Sequence, residues 1–171
     1  MDSNNLIQII INLSQASGPV QKLMTGMAYL LGIIFVFIGI VRLYSISAAL
    51  RNARGSQNSF VPLAYIVGGA ALFYIPTTFH VLSATVFGEG SVLQYASVNP
   101  VNIIPAIILL IQTVGLIWFI RGCVLLVASS EPGVQEGPKG MVFIFAGILA
   151  MNFETTIAVL STLITELATL F

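Results

Sequence analysis

The chain has 171 residues, of which 57% are hydrophobic and 7% charged, with six Lys and Arg balanced by six Asp and Glu. A soluble domain carries about 25% charged residues, so this chain lacks the side chains to cover a water-facing exterior; a soluble globular domain, a disordered chain and most soluble-enzyme readings are excluded. Zero net charge without a basic cluster leaves no electrostatic footprint for nucleic acid, and the lone Cys123 allows neither an intrachain disulfide nor a cysteine metal site.

Residues 1–19 predict an amphipathic helix, because Gln8, Asn12 and Gln15 recur at helical spacing beside Leu6, Ile7, Ile9, Ile10, Ile11 and Leu13. Ser17-Gly18-Pro19 is expected to end it. Asp2, with no Lys or Arg beside it, argues against a signal peptide, and the segment is expected to lie at the membrane interface or on a partner subunit. A bilayer core of roughly 30 Å takes about 20 apolar helical residues. Four runs reach that length: Leu23–Val41, Phe60–Gly88 with Pro76 and His80 inside, Val101–Ala128 with only Arg121, and Gly140–Phe171 with only Glu154 and Glu166. They are continuously apolar rather than alternating, which selects helices over barrel strands. Short connections at 51–59, 89–91 and 129–133 predict antiparallel neighbours. The expected fold is an all-α membrane protein: an N-terminal amphipathic helix, then four transmembrane helices as two tandem hairpins at 20–97 and 98–171.

Arg42, Arg51 and Arg54 flank the first connection, and Arg121 and Lys139 flank the third, where Glu131 and Glu136 dilute the charge. The second has only Glu89. Connections one and three are therefore expected in the cytoplasm, with the second connection and both termini on the outer side. The same five cations are candidates for holding lipid headgroups, each worth about 1 kcal/mol near an anionic surface, or for facing a lumen. Tyr44 and Tyr95 are the best placed of the aromatic interface anchors.

Shifting the sequence by 78 positions lays Gly69, Thr77, Thr78 and Ser83 on Gly147, Thr155, Thr156 and Ser161, and a shift of 79 lays Arg42 on Arg121. Two copies of one hairpin, in the same orientation, are expected. Gly32 and Gly39, Gly115 and Gly122, and Gly140 and Gly147 are each seven residues apart, so each pair returns to one helix face and forms a groove for close helix approach. The intramembrane polar residues are His80 and Glu154. His80 lies one turn after Pro76, where a polar group can answer freed backbone, and no second ligand is spaced to make it a metal site. Glu154 could sit neutral, pair with Arg121 or His80, or meet a neighbouring subunit's arginine. No nucleophile–base pair, phosphate-cradling loop or carboxylate dyad is present, so no catalysis is expected. No cofactor is expected beyond a bound phospholipid.

Pro100-Val101-Asn102, then Leu116-Ile117-Trp118-Phe119-Ile120-Arg121-Gly122, Gly137-Pro138-Lys139-Gly140 and Gly147-Ile148-Leu149-Ala150-Met151-Asn152 resemble the IcmC/DotE and IcmD/DotP group. These are inner-membrane proteins of type IVB secretion systems, related to TraQ and TraR of IncI-type conjugation. The likeness covers residues 100–152 best, and the length and layout are most similar to the TraQ or IcmC/DotE side. It implies a structural subunit of a conjugation or effector-export machine in the bacterial inner membrane, with other secretion subunits, lipids and copies of itself as partners. The doubled hairpin is also similar in plan to conjugative pilins, which implies a subunit that polymerises and reaches the cell surface in a pilus. The rival reading of the residues is a small secondary transporter or ion channel working through Glu154 and His80.

Overall fold

The structure, a computed structural model, describes residues 3–51, 60–87 and 103–170, and every described element is helical. The elements are α1 (Ser3–Arg51), α2 (Phe60–Phe73), α3 (Ile75–Phe87), α4 (Ile103–Ala128), α5 (Gly137–Met151) and α6 (Phe153–Leu170). Arg54 and the connection at 89–91 lie outside the described residues, as do Tyr95 and Pro100-Val101-Asn102.

Among the described residues two helices are long and apolar enough to cross a membrane, Asn5–Ala48 and Ile103–Ala128, and α5 with α6 makes a third if the bent pair counts as one. Along α1, Gly32 meets Gly69 and Phe73 of α2, while Gly39 meets Pro62 and Ile66, so the chain doubles back. Gly115 and Gly122 of α4 meet Gly147 and Gly140 of α5 in the same antiparallel sense. Between the two pairs, Gln21 of α1 hydrogen-bonds Thr113 of α4, and Arg42 meets Glu131 just past the end of α4. Both contacts advance in the same direction, which makes α1 and α4 parallel neighbours. The core lies where the pairs meet, around Ala28, Leu72, Ile75, Phe119, Cys123 and Ile148.

Three expectations are corrected. The N-terminal segment is no separate amphipathic helix, since α1 runs without interruption through Ser17-Gly18-Pro19. An interior proline costs a helix about 3 kcal/mol, but this stretch buries Ser14, Ser17 and Gln21, and the serine hydroxyls return to the Ile11 and Leu13 carbonyls. Packing therefore outweighs the local breaker. The run Phe60–Gly88 is divided at Tyr74 into α2 and α3, one residue before Ile75-Pro76. The run Gly140–Phe171 is divided at Asn152, where α6 turns away from α5 by 93°.

That second break is built from polar groups. The Asn152 amide and side-chain Nδ2 both donate to the Ile148 carbonyl, and Thr156 Oγ1 donates to the Leu149 and Asn152 carbonyls. Carbonyls freed by the bend are thus answered inside the hinge, as an apolar surrounding requires. Beyond it, α6 is amphipathic, with Ile157, Leu160, Leu163, Ile164 and Leu167 on an exposed stripe. On its other side, the hydroxyls of Ser161, Thr162, Thr165 and Thr169 return to their own backbone.

Candidate functional site

The seams between helices come first, because backbones can touch only where side chains are missing. A Cβ added at Gly32 would stand 2.7 Å from the Gly69 oxygen and the Phe73 nitrogen; at Gly39, 2.6 Å from Ile66 Cγ1. At Gly115 it would stand 2.9 Å from the Met151 nitrogen, and at Gly122, 2.7 Å from the Ile144 nitrogen. Gly140 and Gly147 close the second seam from the other side, at 3.0 and 2.8 Å from α4 backbone. All six glycines picked out by their spacing thus lie at helix–helix contacts, and the structure adds Gly69.

The two seams share one register. Gly32, Phe35 and Gly39 correspond to Gly115, Trp118 and Gly122 at an offset of 83 residues (32 to 115, 39 to 122), and Pro62, Tyr65, Ile66 and Gly69 to Gly140, Phe143, Ile144 and Gly147 at an offset of 78 (62 to 140, 69 to 147). The Phe35–Tyr65 rings meet edge to face at 5.7 Å, and the corresponding Trp118–Phe143 rings at 6.3 Å. The breaks correspond as well. Tyr74 and Thr78 donate to the Ala70 and Tyr74 carbonyls as Asn152 and Thr156 do to Ile148 and Asn152.

This register revises the offset of 79 that lays Arg42 on Arg121. At an offset of 83, Arg121 corresponds to Ile38, one turn before Arg42. The two guanidiniums nevertheless reach corresponding rings, Arg42 over Tyr65 at 4.6 Å and Arg121 over Phe143 at 5.2 Å, in the manner of cation–π contacts.

At one end of the bundle Arg42 is more than a loop-flanking cation. Its Nη1 lies 2.5 Å from Glu131 Oε1, and Tyr65 Oη donates to the same oxygen at 2.8 Å. Helices α1 and α2 and the α4–α5 connection are thereby tied at one carboxylate. Beside it opens a cleft of roughly 310 Å³ lined by Arg42, Ser45, Ile46, Val61, Pro62 and Glu131. Lys139 pairs with Glu136 one turn away at 3.1 Å, at an exposed position. Arg121 is exposed on α4, and Arg51 is the last residue of α1.

Glu154 sits exposed in the first turn of α6, where the helix dipole favours a carboxylate. Among the described residues the ion pairs are Arg42–Glu131 and Lys139–Glu136, so Glu154 is not joined to Arg121. His80 belongs to α3. Among the described residues no three His, Cys, Asp or Glu side chains gather as a metal site would require. In the sequence Glu131 reads only as a diluting charge, with neither Arg42 nor Tyr65 marked as its partner. A lone carboxylate at the end of an apolar run, opposite a lone arginine, was the available signal for their pairing.

Against protein-family models, curated proteins and solved structures, the chain has no significant match.

Proposed function

We propose that the chain is a structural membrane subunit of a type IVB secretion or conjugative DNA-transfer apparatus, pilin-like in plan, that works by packing helices rather than by catalysis. The observation that carries this reading is the contact register repeated in both halves. Two hairpins laid parallel by one pattern of glycine and aromatic contacts form a building block, and repeats that bury their faces on one another extend by stacking. The resemblance over residues 100–152 supplies the machine. In a bilayer, α1 and α4 would cross in one sense and α2–α3 and α5–α6 return, giving four passes of which the last is broken at Asn152. The C-terminal ends of α1 and α4 share the side where Arg42 meets Glu131, and the positive-inside rule assigns that side to the cytoplasm of a bacterial inner membrane, with both termini periplasmic.

The test is genetic and physical together. Deleting the chain from a donor strain should abolish transfer of plasmid or effector, wild type should restore it, and Gly147→Leu, which drives a side chain into the Phe119 backbone, should not. Unimpaired transfer by the deletion strain would overturn the proposal. A transporter using Glu154 and His80 predicts instead that Glu154→Gln stops flux in reconstituted liposomes; a structural subunit predicts that this variant leaves transfer intact.

A further inference from the structure

The two halves bury unequal faces, and the inequality follows the repeat. On α4, the side that meets the first half includes Thr113, Cys123 and Val127, which are 7%, 6% and 3% exposed. The residues at the corresponding places on α1 are Leu30, Ile40 and Tyr44, and they are 60%, 55% and 76% exposed. The opposite side shows the reverse. Gln21 of α1 is buried against Thr113, while its counterpart on α4, Ile104, is open. One copy therefore ends in two open faces: a first half whose α1 lacks the neighbour that α4 has, and a second half whose α4 lacks the neighbour that α1 has.

Those faces match. We propose that copies of this chain associate head to tail, with the second half of one seated on the first half of the next through the same interface that joins the halves within a chain. This rests on the structural-subunit reading and adds the partner, the faces and their register. The intrachain contact Gln21–Thr113 becomes Ile104 of one copy against Leu30 of the next. Val127, seated over Gly68 within the chain, becomes Tyr44 of the next copy over Ala146. Helix α3 touches α5 within a chain, and the same step carries α6 of one copy to α2 of the next, which gives its exposed apolar stripe a place to lie. The carboxylate tie is not repeated, since Ala48 stands where Glu131 would. The contact between copies is thus apolar at these places, whereas the one within a chain is locked by a charge pair. Because different surfaces of each copy meet, the contact propagates as a ring or filament rather than closing as a symmetric pair.

Cysteine pairs test this in membranes from cells expressing the full chain. In a Cys123→Ala background, Leu30→Cys with Ile104→Cys, and separately Tyr44→Cys with Ala146→Cys, should give on mild oxidation a ladder of dimer, trimer and higher species. Each single-cysteine chain should stay unlinked, because a head-to-tail contact never brings a position against itself. The exposed sites at 30, 44 and 104 tolerate substitution without disturbing the core. Dimers from single-cysteine chains would show a symmetric contact and overturn the proposal, as would the absence of ladders from both pairs. Particle size in mild detergent separates the two levels. An unlinked but oligomeric particle refutes this interface and leaves the subunit reading standing, whereas a monomeric particle refutes this interface and removes self-association from that reading.

Discussion

At Gly115 an added Cβ would stand 2.9 Å from the Met151 nitrogen and 3.0 Å from the Gly147 oxygen, whereas at Gly26 it would meet nothing within 4 Å. Both residues lie inside helices, so helix propensity favours alanine at each by about 1 kcal/mol. Only at Gly115 does backbone stand in the way, and forcing helices apart costs roughly 1–3 kcal/mol. Gly26→Ala should therefore raise the melting temperature of the detergent-solubilised protein and Gly115→Ala should lower it; equal shifts would deny the seam. The Arg42–Glu131 pair makes a second prediction at this scale. Both side chains are partly exposed, which limits an ion pair to about 1 kcal/mol. A double-mutant cycle with Arg42→Gln and Glu131→Gln should thus give a coupling of about 0.2–1 kcal/mol in denaturant unfolding, and zero coupling would remove the tie between the halves. The glycines were legible in the sequence because seven-residue spacing alone places two residues on one face. The tie was not, since its partners are 89 residues apart (42 to 131) and only the fold brings them together.

The elements differ from the sequence expectation wherever packing overrules a local signal. Pro19 reads as a stop, yet α1 continues because Gln21 is bonded to Thr113 across the helix interface. Asn152 reads as one polar residue in an apolar run, yet it turns the chain, because its side chain and Thr156 can answer the carbonyls a bend exposes. Neither outcome is encoded in hydropathy, which is why the sequence predicts a separate N-terminal helix and an unbroken last span. The hinge is testable by spin-label distances between Val142→Cys on α5 and Leu163→Cys on α6. Each site lies about 15 Å from the bend along its helix, so a right angle separates them by roughly 21 Å and a straight helix by roughly 31 Å. Wild type should give the shorter distance, and Asn152→Leu with Thr156→Val should lengthen it. A long distance in wild type would mean that α5 and α6 form one straight helix.

At the scale of the molecule, two hairpins of like register lie side by side; the offset of 78 read from the sequence holds for the second helices, while the offset of 79 misaligns the first. The first helices correspond at 83 residues and the second at 78, because the connection between Gly122 and Gly140 is five residues shorter than that between Gly39 and Pro62. Arginine matching hid this, since Arg42 and Arg121 reach corresponding rings from positions one turn apart. A doubled hairpin that spans a bilayer has a consequence that a soluble bundle does not share: its first and third connections face the same compartment and its second the other. Topology reporters fused after Asn58, Gly90 and Gln135 measure this directly. The fusions at Asn58 and Gln135 should both report the cytoplasm and that at Gly90 the periplasm; opposite sides for Asn58 and Gln135, or one compartment for all three, would contradict the account.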